Sequence, residues 1–376
     1  MAVAIPTVKA AESIENDSDI TNNLPTLQFE SALTDEEKDL LVLRARSHAI
    51  TVSACAQATY LAAVFNEIRQ IRAELRHPKL KKSKLLQEAT PRDPLLVGII
   101  GCGKLGSQLA NCLLTYADVR PEELKISSRR PETLGDLQDR GVRCFHDNAR
   151  VASSVHLLFI CVLPSQLQTV GDEIKGLIPS QCVVYSLVNA VPISRLKHLL
   201  GTTNILKPQF KWDLENGNLP WDYTLDINGA IETMSMMKKT CPLYQNKAGE
   251  FCYAIVYTEE KYAELLLYTI INFCTSLRLC RPEVLDILNA VVFGQTNGED
   301  TPVVREKEIT KKPADADNLF PRFDLTALAE GKLTTLGKKI IRDEAVRASF
   351  IKKYCGVIEQ YLQWKRYHEN LKTRGF

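Results

Sequence analysis

V-G-I-I-G-C-G-K-L-G-S, residues 97–107, decides the fold of this chain. Glycines at G-x-G-x-x-G spacing mean little until their flanks are read. The run L-L-V-G-I-I (95–100) leads into them and is short and apolar, as a buried parallel strand is. Leu105, Leu109, Cys112 and Leu113 follow at helical spacing. A strand before and a helix after are the context that a dinucleotide-binding fingerprint demands. Gly101 would then allow the tight turn, Gly103 the close approach of backbone to a pyrophosphate, and Gly106 the packing of helix on strand. Lys104 and Leu105 begin the helix whose N–H groups and dipole would hold the phosphates. The competing reading is a purely structural turn in an α/β domain. Cys102 lies inside the loop, where a helix N-terminus lowers a thiol pKa, although any small residue suits that position.

Outward from this loop, strand-like runs recur at 124–128, 142–145, 155–163, 182–187 and 204–206, mostly with helical segments between them. That alternation predicts a Rossmann-type, doubly wound, mainly parallel α/β sheet over 94–280. Residues 1–33 are acidic and polar and read as a flexible tail. T-D-E-E (34–37) has the form of a capping box. It opens one long helix, or two in tandem, ending near His77-Pro78, with a basic linker up to 93. After Trp212 the pattern loosens, with helical stretches at 226–239, 259–277 and 282–292. Residues 281–376 read as a C-terminal helical region containing a mobile polar loop at 295–318. Its last helix carries Val346, Phe350, Tyr354, Val357, Ile358 and Tyr361 on one face. That face either joins two copies into a homodimer or packs on its own domain.

The bulk numbers exclude several classes. Of 376 residues, 45% are hydrophobic and 24% charged, and the formal net charge is +2. No global field therefore draws the chain to nucleic acid or to a membrane surface. Eleven cysteines are scattered without a C-x-x-C pair or a zinc spacing, so reduced thiols and a cytoplasmic location are expected. M-A-V-A-I-P-T lacks a basic region followed by an apolar one, so no signal peptide is expected. The longest stretches free of Asp, Glu, Lys and Arg are 47–66 and 151–171. Each carries a histidine and hydroxyl or amide groups, which suits buried elements better than membrane spans. No G-x-S-x-G elbow supports a serine hydrolase. His146 and His156 lie in or beside strands and read as structural. No metal site and no catalytic residue emerge.

The second strand indicates which nucleotide is bound. NAD sites place a carboxylate about 20 residues after the glycines to hold the ribose 2′-OH. Here the strand ends in Ser127-Ser128-Arg129-Arg130. Guanidinium charge and hydroxyl donors suit a 2′-phosphate, so NADP is favoured over NAD, with at least one arginine facing solvent at the turn.

I-G-C-G-K-L-G (100–106), S-S-R-R, C-V-L-P (161–164) and V-V-Y-S-L-V-N-A-V-P-I (183–193) together resemble the N-terminal half of pyrroline-5-carboxylate reductases, in motifs and in spacing. The stretch 251–275 resembles more weakly that family's sixth strand, helix and closing strand. The resemblance implies NADPH binding by Gly101, Gly103, Gly106, Ser128, Arg129 and Arg130. It also implies that Val162-Leu163-Pro164 lie on the nicotinamide side, with Asn189-Ala190 near the same crevice. Proline biosynthesis is the activity it points to.

The departures are specific. Leu163 replaces the family's usual lysine, and Asn189-Ala190 its small Ala/Gly pair. Lys207-Pro208-Gln209 stands for an N-T-P-like segment, and V-F-G-Q-T-N-G (292–298) for the first of two missing carboxylate-binding loops. Lys207, Gln209, Gln295, Thr296 and Asn297 are replacement donors by position only. Two functions are therefore carried forward. One is an NADP-dependent oxidoreductase delivering hydride to a C=N or C=O carbon of a small molecule. The other is a catalytically inactive nucleotide-binding interaction or sensor protein.

Overall fold

A computed structural model of the chain describes residues 33–76, 93–212, 221–244, 255–295, 303–314 and 316–373. Nearly all of the acidic tail and of the basic linker lies outside those residues, as do 296–302, with Thr296 and Asn297 among them.

The capping box is formed as the sequence predicts. Glu37 N donates to Thr34 Oγ1 at 3.3 Å, and Thr34 N donates to Glu37 Oε2 at 2.8 Å. Two tandem helices follow, α1 (Asp35–Asp39) and the 36-residue α2 (Leu41–Arg76). The wound region then alternates β1 (Val97–Ile100), α3 (Lys104–Tyr116), β2 (Leu124–Ser127), α4 (Gly135–Asp139), β3 (Arg143–Phe145) and α5 (Asn148–Ala152). It continues through β4 (Leu157–Ile160), α6 (Leu167–Ile174), β5 (Val183–Ser186), α7 (Ile193–Leu200) and β6 (Ile205–Leu206). All five pairings are parallel and the order is β3-β2-β1-β4-β5-β6. The chain reverses its direction of growth between β1 and β4, the switch point beside which such sheets bind ligands.

Alternate residues of each strand face opposite layers. Val97, Ile99, Leu124, Ile126, Leu157, Phe159, Val183 and Tyr185 join one core. Ile100, Leu158, Ile160, Val184 and Ile205 join the other, beneath α5, α6 and α7. Gly98 lets α5 settle on the sheet, since a Cβ there would come within 2.8 Å of Val151.

After β6 the chain forms β7 (Phe210–Lys211), α8 (Ile227–Glu232), α9 (Met234–Thr240), β8 (Tyr257–Thr258) and α10 (Lys261–Ser276). β7 and β8 pair antiparallel as a separate two-stranded sheet. The weak match to a closing strand is corrected here: residues 271–275 lie inside α10, a helix buried on nearly every side. The last elements are α11 (Arg281–Ile287) with a π-helical turn over Leu288–Val292, α12 (Glu306–Ile309), α13 (Leu325–Glu330), α14 (Thr335–Arg342) and α15 (Glu344–Thr373).

The division into an N-terminal extension, a wound domain and a C-terminal region does not describe the packing. α2 lies at the centre of the larger core. Phe65 stacks on Phe273 of α10 with centroids 3.8 Å apart, and Tyr60 meets Phe350 and Tyr354 of α15. Gln57 Nε2 donates to Thr240 O and Thr258 Oγ1 at 2.9 and 2.6 Å. By length and composition this helix could cross a membrane, but 78% of its apolar stretch is buried inside the protein. The apolar face of α15 is covered within the chain, with Phe350, Tyr354 and Ile358 all buried.

The mobile loop expected over 295–318 also needs correction in its described part. It contains α12 and is held by the buried Arg281, which donates to Glu306 Oε1 (2.5 Å), Lys312 O (3.1 Å) and Pro313 O (2.9 Å).

His156 has the structural role read from its place in a strand region. Leu96 N donates to its Nδ1 at 3.0 Å, which needs a neutral ring. Burial, reinforced by the nearby Arg69 and Lys125 charges, pushes its pKa down to about 4. The unfolded ring titrates near 6.5, so below that pH the unfolded state takes up the proton first. Stability is therefore complete above pH ~6.5 and falls as pH drops toward ~4. The ring is only partly buried, so the expected loss is about 2 kcal/mol, less than the full shift implies. Unfolding free energies from urea denaturation at pH 7 and 4.5 should differ by that amount more in the wild type than in His156→Asn.

Candidate cofactor and substrate site

The site begins where β1 ends. Gly101 has φ +91°, and its N–H donates to Ser127 O at 2.9 Å, tying the loop to β2. A Cβ at Gly101 would lie 2.6 Å from Val162 and 3.0 Å from the Cys161 backbone. Glycine is required there by conformation and by space. A Cβ at Gly106 would stand 2.3 Å from Gly101 O, so α3 could not seat on the loop. Gly103 differs: it is the N-cap of α3, and nothing lies within 4 Å of its missing side chain. Two glycines thus shape the turn, and the third leaves open space at the N-terminus of a 13-residue helix. A pyrophosphate fits this cradle, where unsatisfied N–H groups and the helix dipole favour an anion. Lys104 is exposed and Leu105 half-buried. Burial pushes the Cys102 thiol pKa up, partly offset by its contact with Ser107, so this cysteine is not an activated one.

The end of β2 brings the predicted serine and arginines beside that cradle. Ser128 N donates to Phe145 O at 3.0 Å, and Arg130 N donates to Ser128 Oγ at 3.3 Å. Arg129 and Arg130 are both exposed. With the Gln166 amide oriented to satisfy both groups, its oxygen accepts from Arg129 Nη2 and Nη1 at 2.9 and 3.1 Å. β2 and β4 flank β1, so this contact spans the carboxyl end of β1. Arg130 shows no side-chain contact among the described residues, which leaves it directed to solvent.

The C-V-L-P turn follows β4. Cys161 N donates to Ile100 O at 2.8 Å, and Gln166 N donates to Leu163 O at 2.9 Å. These bonds hold Val162, Leu163 and Pro164 against the glycine loop, with Leu163 exposed. After β5 comes Asn189, and Ala190 takes φ +58°. Ala190 occupies the place of a glycine in the resembled pattern. The left-handed turn therefore survives without its glycine, at a cost of about 1–2 kcal/mol. Lys207 is half-buried, donates to Val191 O at 2.6 Å, and has its pKa lowered by desolvation. Gln295 instead accepts from Val303 N and does not reach the cleft described next. Among the described residues, no group of His, Cys, Asp and Glu side chains could hold a metal ion.

A cleft of about 330 Å³ opens at this end of the sheet. One side is made by Leu105, Leu187 and Asn189, with Phe210 and Trp212 beyond them. The other side is α2, through Leu43, Arg46, Ser47, Ile50, Thr51 and Ala54. Their spacing of three and four residues places them on one helical face. Leu43 and Trp212 are about half exposed at the mouth, at 51% and 45%. Leu105 and Asn189 were predicted site residues. The α2 residues were not, because helical spacing reports a buried face without saying what it faces.

Comparison with known proteins gives the chain a family. A family model described as NADP oxidoreductase, coenzyme F420-dependent, matches residues 96–189. The NADP-dependent oxidoreductase domain-containing protein 1 of Mus musculus is 34% identical over 351 residues, covering 90% of this chain and 93% of that protein. The chain belongs to that protein's family. This family is pyrroline-5-carboxylate reductase-like and falls among NAD(P)-dependent oxidoreductases. The pyrroline-5-carboxylate reductase of Methanosarcina acetivorans is 33% identical over 113 residues, 30% of this chain and 42% of that enzyme. The pyrroline-5-carboxylate reductase structure from Coxiella burnetii covers 72% of this chain and 98% of its own at 16% identity, with a TM-score of 0.30. That superposition is too loose to argue from, and the strand order itself carries the fold. Membership in the family thus rests on the full-length relative, and likeness to the reductases on the wound half.

Proposed function

We propose that this protein is an NADPH-dependent reductase that delivers hydride to the C=N or C=O carbon of a small molecule. The observation that carries the reading is the open position at Gly103, set beside Ser128, Arg129 and Arg130 where an NAD site would carry an acid. NADPH supplies the hydride when bound. The loop N–H groups and the α3 dipole hold its phosphates, and the two arginines with Ser128 bind the 2′-phosphate. Val162, Leu163 and Pro164 border the nicotinamide side. Leu105 and Leu187 exclude water from the adjoining cleft. That cleft, at the low end of ligand-pocket volumes, favours an enzyme over an inactive sensor. The ten cysteines among the described residues are all free, which supports a reducing compartment such as the cytoplasm.

Fluorescence titration with NADPH and NADH tests the cofactor assignment. NADPH should bind at least about 10-fold more tightly than NADH. The Arg129→Ala/Arg130→Ala double variant should weaken NADPH by about 100-fold and NADH by less than about 3-fold. Equal losses for both nucleotides would overturn the 2′-phosphate assignment. Turnover of pyrroline-5-carboxylate and of a panel of small imines and ketones then tests the reductase reading.

A further inference from the structure

Arg129 and Gln166 reach each other across the carboxyl end of β1, the crevice over which a dinucleotide lies in a sheet of this order. Both ends of this bridge are tied to β1 or its loop. On the β2 side, Gly101 N donates to Ser127 O, two residues before Arg129. On the β4 side, Cys161 N donates to Ile100 O, and the bond from Gln166 N to Leu163 O closes the turn over Pro164–Gln166. Leu167, next in the chain, is buried. Gln166 is therefore a half-buried amide on a fixed stretch, whereas Arg129 is an exposed side chain with several rotatable bonds.

The way the two groups meet leaves an edge for a ligand. The Gln166 oxygen accepts from Nη2 and Nη1 of Arg129 at 2.9 and 3.1 Å, at the far end of the guanidinium. Of the five N–H donors, those on Nε and on the outer side of Nη2 point along a different edge. A phosphate matches such an edge with two parallel hydrogen bonds. The amide is neutral, so it holds the guanidinium without cancelling its charge. Arg130 has no such support among the described residues, where its backbone N–H donates to Ser128 Oγ.

We infer that Gln166 is a positioning residue for NADP, setting the Arg129 guanidinium edge-on to the ribose 2′-phosphate. Arg129, more than Arg130, then carries the discrimination between NADPH and NADH. The inference deepens the NADPH reading and rests on it. A cofactor that meets a guanidinium already ordered is spared the cost of immobilising it, which amounts to about 3- to 10-fold in affinity. Gln166 lies beyond β4, far in sequence from the strand end where the 2′-position is read, so only the fold brings it to the site.

Fluorescence titration of the full chain with NADPH and NADH tests the assignment in four variants: Arg129→Ala, Arg130→Ala, Gln166→Met and Arg129→Ala/Gln166→Met. NADPH should weaken at least about 30-fold in Arg129→Ala and less than about 3-fold in Arg130→Ala. Gln166→Met should weaken NADPH by about 3- to 10-fold and leave NADH within about 2-fold. In the Arg129→Ala background Gln166→Met should have no further effect, because it acts through that arginine. Melting curves confirm that each variant is folded. Unchanged or tighter NADPH binding in Gln166→Met overturns the inference, as do equal losses for both nucleotides or additive losses in the double variant. A wild type that binds NADPH and NADH equally would instead sink the 2′-phosphate reading itself. A wild type that prefers NADPH, with the preference intact in Gln166→Met, would sink the role of Gln166 alone.

Discussion

Gly106→Ala is expected to lose both stability and nucleotide binding, whereas Gly103→Ala should lose only binding. The two substitutions add the same methyl group three residues apart. At Gly106 that methyl would sit 2.3 Å from Gly101 O, a backbone atom that no rotamer change can move aside. Either α3 lifts from the loop or Gly101 leaves φ +91°, where its N–H bond to Ser127 O is made. Overpacking of this kind costs about 2–4 kcal/mol. The displaced loop should bind NADPH at least about 100-fold more weakly.

At Gly103 the backbone has φ −83°, which alanine adopts freely, and nothing lies within 4 Å. The folded protein should therefore stay within about 0.5 kcal/mol of wild type. The new methyl would occupy the space assigned to the pyrophosphate, and NADPH affinity should fall by about 10- to 100-fold. Chemical denaturation paired with NADPH titration separates the two effects. Wild-type NADPH affinity in Gly103→Ala would remove the cradle from that position.

Arg281→Met should cause the largest loss of stability among substitutions away from the cleft. Arg281 is 2% exposed at the start of α11. Besides its bonds to Glu306, Lys312 and Pro313, its Nε donates to Leu319 O at 3.0 Å, and its guanidinium lies 5.3 Å from the Phe320 ring centroid. Methionine keeps much of the volume but leaves those carbonyls without their donor. An unsatisfied buried acceptor costs about 1–3 kcal/mol. Glu306 is half exposed and can turn to water, so the sum is expected at about 3–5 kcal/mol. Urea denaturation measures the total. Hydrogen exchange should show the greatest gain over α12 and the turns after it, with β1 and β4 protected up to the global limit. A uniform change across the chain would mean that Arg281 does not specifically hold this segment.

The glycine loop, its flanking strand and helix, and the six strand positions were legible in the sequence. Those features are local: a buried parallel strand is a short apolar run, and a turn at φ +91° demands glycine wherever it occurs. Ser128, Arg129 and Arg130 were legible for a related reason, since strand length places whatever follows β2 beside the loop. The capping box at Thr34 and Glu37 needed only residues three apart. By contrast, the 295–318 segment looked like a free loop because Arg281, which holds its described part, lies outside it and is apolar in none of its signals.

α2 shows the limit most plainly. The sequence showed it as one long helix, or two in tandem, without saying what that helix would pack against. Only packing against α10, α15 and the larger sheet face decided that, through pairs such as Phe65 with Phe273. The sequence by itself determined the nucleotide-type loop and the parallel sheet, because both follow from short-range sterics and periodicity. The tertiary structure alone placed Arg46 opposite Leu105 and Asn189, because a cleft is made by side chains brought together across long separations in the chain.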